Sequence, residues 1–212
     1  MLSEGRVGPI SATDGSINPV RLTKTGEIAF SQAHGAYQEA VLRGGVWCLS
    51  SAAAGITVAA AHVIGAAAGS PLVGMFNPIN SGVNLVMLRA NSSWNSGTTG
   101  AGGLVWGCIA ANAGVTATGA NGAINMLTLA SGGSLAKTFT NSALTGAGAS
   151  VLLRFLGGPT VGALAANANQ TVNEVTDGDI ICPPGGVIGL FAATAGTSPI
   201  VGCSVTWEEV KI

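Results

Sequence analysis

From residue 46 onward, the sequence consists of short apolar runs separated at fairly regular intervals by clusters of Gly, Asn, Ser and Pro. Most runs are rich in Val, Ile, Leu and aromatic residues and are too short for helices. Such runs are typical of strands in an all-β sandwich or barrel. The runs are VWCLSS (46–51), GITVAAA (55–61), PLVGMF (71–76), VNLVMLRA (83–90), LVWGCIAA (104–111), INMLTLA (124–130), SVLLRFLG (150–157), DIICPP (179–184), GVIGLFAAT (186–194) and IVGCSVTWEEV (200–210).

The last run alternates, which predicts a strand that is buried on one side. Cys203, Val205 and Trp207 share one face, which we expect to point inward. Residues 44–212 are therefore predicted to form one antiparallel β-sandwich domain. Small residues are abundant, with 33 glycines, so the sheets can pack closely but cannot fill a thick core. Such a domain would benefit from a partner that buries more surface, and trimerisation is one solution.

Residues 1–43 differ from the rest because they hold eight of the 17 charged residues. VRLTKTGEIAFSQ alternates around a Thr-Gly pair and predicts a short hairpin or an extended arm. HGAYQEAVLRGG predicts a short helix that ends at a Gly pair. Residues 1–43 are interpreted as an extended N-terminal arm that reaches over a neighbour or lies against its own domain. An ordinary strand pair of the same domain is the alternative.

The segment between residues 44 and 173 is almost free of charge, since it holds only Arg89, Lys137 and Arg154. Either much of its surface faces other protein, or Ser, Thr, Asn and Gly keep it soluble. The two arginines can meet a carboxylate across an interface or end their strands at the surface. The net charge of −1 gives no overall basic balance that would indicate nucleic acid.

Residues 70–90, SPLVGMFNPINSGVNLVMLRA, predict a hairpin of two strands joined by a turn-rich segment that starts at Asn77-Pro78. The second strand is apolar on both faces. This pattern predicts that one face packs in the core while the other meets a partner chain.

The sequence contains few residues that could form a catalytic or metal-binding site. The two histidines, His34 and His62, are expected to be polar or hydrogen-bonded residues without a catalytic role. EVTDGD (174–179) has three carboxylates but lacks a calcium-loop pattern, so a turn with Asp177-Gly178 at its tip is predicted. No cofactor is expected, and the chain is predicted not to be an enzyme. A small β-fold hydrolase remains an alternative.

Four cysteines lie at wide, irregular spacings without a CxxC pair, so free, buried thiols are expected. The start of the sequence lacks the pattern of a secretory signal. The segment 52–69 has the length of a membrane span, but it is rich in Ala and Gly and lacks flanking anchors. No membrane association is therefore predicted.

Three segments together resemble virion proteins of tailed bacteriophages. They are VRLTKTGEIAFSQAHGAYQEAVLRGG, PLVGMFNPINSGVNLVMLRA and PPGGVIGLFAATAGTSPIVGCSVTWEEV, and they cover about a third of the chain. The resemblance implies a capsid decoration (cement) protein with a jelly-roll-like sandwich. It also implies a homotrimer that is made in the bacterial cytoplasm and lies on the capsid exterior, bound to the major capsid protein. It implies no catalytic residues.

Two non-enzymatic functions follow from these observations. In the first, the protein stabilises the capsid, and Arg21, Lys24, Val86, Met87 and Arg89 are the candidate interface residues. In the second, it is a receptor- or carbohydrate-binding module of a head fibre or tail. There, Trp94 is the candidate ligand contact because polar turn residues surround it. A Trp that anchors a loop explains the same pattern.

Overall fold

The computed structural model describes residues 35–66, 70–98, 101–109, 116–117, 122–141, 144–145, 148–157 and 171–212. The chain divides into two compact units, residues 1–39 and 40–212. The predicted hairpin in VRLTKTGEIAFSQ and the candidate residues Arg21 and Lys24 lie outside the described residues.

Strands dominate the described residues. Helix α1 comprises Gln38–Leu42, and a single 3-10 turn comprises Ala60–His62. The short helix expected from HGAYQEAVLRGG is confirmed; Gly44 follows it with a φ of 72°, in the left-handed region that favours glycine. The strands are β1 (Val46–Ser50), β2 (Ile56–Thr57), β3 (Val73–Phe76), β4 (Val83–Thr98), β5 (Leu104–Ile109), β6 (Thr116–Ala117), β7 (Ile124–Asn125), β8 (Lys137–Thr140), β9 (Leu144–Thr145), β10 (Val151–Gly157), β11 (Thr171–Cys182), β12 (Val187–Ala192) and β13 (Thr197–Lys211).

Two antiparallel sheets pack against each other, as the sequence predicted. Sheet 1 has the order β11-β4-β13-β1-β7, with β2 also paired to β13, and sheet 2 has the order β10-β5-β12-β3-β8. Strands β6 and β9 form a separate pair. Consecutive strands lie in different sheets at β2–β3, β3–β4, β4–β5, β7–β8, β10–β11, β11–β12 and β12–β13, so the chain crosses repeatedly between the two layers of the sandwich.

The core lies between the two sheets. Trp106 of sheet 2 and Trp207 of sheet 1 are both fully buried there. The alternation predicted for the last strand is confirmed, because Cys203, Val205 and Trp207 are all buried. Their sequence neighbours on the other face are partly exposed.

Sheet 2 is also covered on its other face. Gly74, Gly107 and Gly189 lie side by side on β3, β5 and β12 and point away from the core. A Cβ added to Gly107 would lie 2.5 Å from Ile64 Cδ1, and one added to Gly189 would lie 2.6 Å from Pro71 Cβ. The three glycines therefore allow Ile64 and Pro71, which precede β3, to lie directly on the sheet.

The hairpin predicted for residues 70–90 is wrong. Both strands exist, but β3 pairs with β12 and β8 in sheet 2, whereas β4 pairs with β13 and β11 in sheet 1. The turn therefore carries the chain from one sheet to the other. Buried Asn77 holds this corner: its Nδ2 donates to Val83 O at 2.8 Å and to Cys182 O at 3.0 Å.

Two other predicted strands are shorter than expected. Only Ile56–Thr57 of GITVAAA is a strand, and the following residues enter the 3-10 turn. Only Ile124–Asn125 of INMLTLA is a strand, and a turn follows in which Leu127 N and Thr128 N donate to Asn125 Oδ1. Side-chain caps of this kind favour turns over continued strands.

Candidate functional site

The apolar character of both faces of β4 has an internal cause. Arg89 pairs with Thr206, and Met87 pairs with Trp207, so Leu88 is an unpaired β-bulge residue. Because the bulge reverses the alternation, Met87 and Leu88 are both buried, and Met87 is 0% exposed. The prediction that Met87 forms part of an interface is therefore wrong, since its side chain lies inside the protein.

The other two interface candidates on β4 do reach the surface. Val86 is half-buried and Arg89 is exposed, both on the outer face of sheet 1. Within the described part of the chain, Arg89 forms no ion pair. Both residues therefore remain candidates for contact with a partner.

Trp94 does not offer an exposed ring. Its side chain is only 8% exposed, and its Nε1 donates to Gly97 O at 3.1 Å. It borders a cavity of about 20 Å³ between the sheets, together with Leu104 and Val201. This geometry matches a Trp that anchors a loop, and it leaves no ring face on which a sugar could stack.

EVTDGD forms a wide bulge inside β11. Residues 176–179 are inserted between Val175 and Ile180, which pair with Arg89 and Met87 of β4. Asp177 and Gly178 have φ values of 48° and 85°, so the expected turn is present. Unlike the predicted turn, it interrupts a strand instead of preceding one.

Arg154 meets carboxylates within its own chain. Its guanidinium lies 2.5 Å from Glu174 Oε1 and 2.6 Å from Asp179 Oδ2, which joins β10 to β11. The hydrogen bond to Asp179, supported by the charge of Glu174, raises the pKa of Arg154 although partial burial opposes the shift. Arg154 therefore needs no carboxylate from a partner.

The described histidine has a structural position. His62 is buried, and its Nδ1 bonds with the carbonyl oxygen of Ser70 at 2.9 Å, which fixes the ring against the start of the next segment. His34 lies outside the described residues. Across the described ranges, no three His, Cys, Asp or Glu side chains are placed to hold a metal ion.

All four cysteines are free thiols, as expected. Cys182 and Cys203 are buried, and burial raises the pKa of each to about 12. Cys48 and Cys108 are partly exposed, and burial also raises the pKa of Cys108. The two buried thiols are thus poor nucleophiles near neutral pH.

A neutral polar cleft of about 540 Å³ lies on the outer face of sheet 1. Asn173, Asn91, Ser204 and Ser50 form one cross-strand row through four neighbouring strands. Asn91 Nδ2 donates to Ser204 Oγ at 3.3 Å. Among the described residues that line the cleft, none is charged. The cleft was not predicted from the sequence, although the polar residues that alternate in ANSSWN (90–95) indicate a polar face of the strand.

The two edges of the sandwich expose apolar side chains. We name them the β10–β11 edge and the β7–β8 edge. The β10–β11 edge exposes Val151, Leu152, Leu153, Phe155, Val175 and Ile181, and the β7–β8 edge exposes Ile124, Met126, Leu127, Leu129 and Leu135. Most of these residues lie in runs that were predicted to be strands, whereas Val175 lies in the predicted turn and Leu135 lies outside the predicted strands; their exposure was not predicted. The sequence does give a sign of this exposure, because the apolar residues of these runs do not alternate with polar ones.

Among the described residues, no helix is both long and apolar enough to cross a membrane. Comparisons with protein-family models, with curated proteins and with solved structures found no match to this chain.

Proposed function

We propose that this protein is a structural virion component of a tailed bacteriophage. It acts as a capsid decoration, or cement, protein that binds the major capsid protein as a homotrimer on the capsid exterior. The observation that carries the proposal is the exposed apolar surface on both edges of the sandwich. Single exposed apolar residues are ordinary on a protein surface, but several on neighbouring strands of one edge are typical of a site of association.

The scarcity of charge in the middle of the chain supports the same proposal. Arg154 forms ion pairs with Glu174 and Asp179 of its own chain, so its positive charge is already compensated when a partner covers the β10–β11 edge, although this cluster keeps a net negative charge. Arg89 has no ion pair among the residues that the structure describes, so it can meet a carboxylate of the capsid. A protein that binds only the assembled shell stabilises that shell by mass action, without any chemical step.

The test uses empty capsid shells assembled from the major capsid protein of the phage that the proposal assigns to this chain. We expect the purified protein to have three times the chain mass of 20.7 kDa, to cosediment with the shells and to raise their unfolding temperature. Replacement of the exposed Arg89 by Ala should weaken cosedimentation without altering the fold. A stable monomer that does not sediment with the shells would refute the proposal.

The polar cleft favours a second function, which is that of a carbohydrate-binding module on a head fibre or tail. Sugar hydroxyls both donate and accept hydrogen bonds, and the Ser and Asn side chains of the cleft do the same. The volume of the cleft lies within the usual range for small-ligand sites. In this second function the residues that contact the ligand are Asn91, Asn173 and Ser204 of the cleft, not Trp94.

A glycan array of neutral and charged oligosaccharides tests this second function. Binding of a neutral glycan should fall about tenfold in the double variant Asn91→Ala, Asn173→Ala, because two hydrogen-bonding groups are lost. Asn84→Ala is the matched control: Asn84 lies on the same strand and is also partly exposed, but it lies outside the cleft. If no glycan binds, or if the double variant binds as well as the control, the cleft is not a sugar site.

A further inference from the structure

We infer that copies of this chain associate head to tail, with the β7–β8 edge of one copy packed against the β10–β11 edge of the next. The inference deepens the proposed function, because it names the surfaces that form the homotrimer. The occupant of each edge is a second copy of the chain, and the following observations carry that assignment.

The β10–β11 edge contains a groove. Its volume is about 230 Å³, and it lies between Leu153 of β10 and Ile181 of β11. Ile109, Val187 and Ile188 also line it, so its wall is apolar. Strand β10 is the last strand of sheet 2, and among the described residues only one of its sides is paired. Such an edge strand is a ready surface for another chain.

The β7–β8 edge carries a protruding side chain. Leu129 is 76% exposed, the largest exposure among the large apolar residues described, and it has a φ of 57°. The turn that presents it is held firmly: Leu129 N donates to Asn125 O at 2.9 Å, and Met126 N donates to Val46 O at 2.9 Å. A hydrogen-bonded turn thus presents the side chain of Leu129 to solvent as an apolar knob. The groove on the other edge is large enough to receive a leucine side chain.

The second part of this edge is fixed in the same way. The carboxylate of Glu209 accepts hydrogen bonds from Ser134 Oγ at 2.6 Å and from Leu135 N at 2.9 Å. Leu135 is therefore exposed from an anchored backbone, and Leu127 flanks Leu129 on the same turn. Exposed apolar residues on fixed backbone lose little conformational entropy when they bind.

The size of the two edges supports a contact between them. Each edge exposes roughly 500 Å² of apolar side-chain surface, which is near the upper range for a monomer. A standard interface buries about 1,600 Å² of surface in total, and somewhat more than half of that surface is apolar. The two edges together expose roughly this apolar area. Pairing one edge with itself would leave the other exposed in every copy. Head-to-tail pairing covers both, and it closes into a ring when the rotation between copies allows it.

Two complementary variants test this arrangement. Leu129→Asp alters only the knob, and Leu153→Asp alters only the groove; both residues are exposed, so the fold should persist. Each variant alone should be a monomer of about 20.7 kDa, with association weakened about a hundredfold or more because a carboxylate would be buried without a partner. Ile79→Asp is the control, since Ile79 is 49% exposed and belongs to neither edge.

The decisive experiment mixes the two variants and measures mass by sedimentation velocity. The intact knob of one variant can enter the intact groove of the other, so the mixture should form a one-to-one dimer that cannot grow. Wild type and Ile79→Asp should form the closed ring. The inference is overturned if the wild type is monomeric, if Leu129→Asp alone still associates, or if the mixture stays monomeric. Failure to bind shells with an intact ring would refute the proposed function and leave this inference standing.

Discussion

The indole N–H of Trp106 in β5 donates a hydrogen bond to Glu174 Oε2 in β11, at 2.8 Å, and so joins the two sheets. Trp106 is fully buried, and the other carboxylate oxygen of Glu174 contacts Arg154. A carboxylate in this position is tolerated because both of its oxygens have strong donors.

Removal of Arg154 should therefore cost stability. We expect Arg154→Met to lower the free energy of unfolding by about 1–2 kcal/mol, because Glu174 would lose its cationic partner while it stays largely buried. Urea denaturation measures the change. Asp179→Asn is the control, since Asp179 is more exposed and should contribute under about 1 kcal/mol. Equal effects of the two substitutions would contradict this account.

Replacing any of the three adjacent glycines of sheet 2 by a larger residue should lower the stability of the protein. Gly189→Ala should cost about 3 kcal/mol, because its Cβ would meet Val73 O at 2.7 Å as well as Pro71. Gly107→Ala should cost less, because its Cβ would meet the more adaptable side chains of Ile64 and Phe191. Thermal unfolding measures both. Gly148→Ala is the control, because nothing lies within 4 Å of its Cβ position, and it should be near neutral.

Asn77 should be essential to the corner between β3 and β4. Asn77→Ala removes the hydrogen bonds that Nδ2 donates to the carbonyls of Val83 and Cys182, although Val83 O keeps one from Ser81 Oγ. We expect a loss of about 1–2 kcal/mol in the free energy of unfolding. Chemical denaturation of this variant beside Asn84→Ala, which alters a partly exposed asparagine, checks the expectation. A loss no larger than that of Asn84→Ala would contradict it.

The four thiols should differ in reactivity. Ellman's reagent at pH 8 should modify at most Cys48 and Cys108 in the native protein, and all four thiols in denaturant, because Cys182 and Cys203 are buried. Rapid modification of four thiols without denaturant would show that the core opens readily.

The same buried thiols predict loss of stability in alkali. In the folded state burial raises the pKa of Cys182 and of Cys203 to about 12, from an ordinary value of 9.0. Below pH 9 both states keep the proton, so the thiols add no pH dependence. Between about pH 9 and 12 only the unfolded state ionises, so stability falls as the pH rises. Urea midpoints across this window measure the fall, and Cys203→Ala should reduce its slope.

The fold class followed from local patterns, because run length and turn residues distinguish strands from helices. The inward face of β13 was predictable for the same reason: Cys203, Val205 and Trp207 alternate without interruption. The crossing between sheets after Phe76 was not predictable. Its outcome depends on Asn77 meeting Cys182, a residue that lies far away in the sequence.

The candidate site was less predictable than the fold. Met87 looked available to a partner because a bulge was not foreseen, and Leu88 gives no local sign that it lacks a cross-strand partner. Burial of Trp94 depends on residues of the opposite sheet. The exposed apolar edges were missed because the order of strands in a sheet decides which strand has a free side, and sequence spacing does not specify that order.

The position of β13 also has a consequence for how the protein is made. This strand follows all the others in sequence, yet it lies between β4 and β1 in the middle of sheet 1. During synthesis, β4 and β1 cannot pair with β13 until residues 197–211 have left the ribosome. Folding is therefore expected to be late, slow and dominated by contacts between residues far apart in the sequence. Until then the unpaired strands are prone to aggregate.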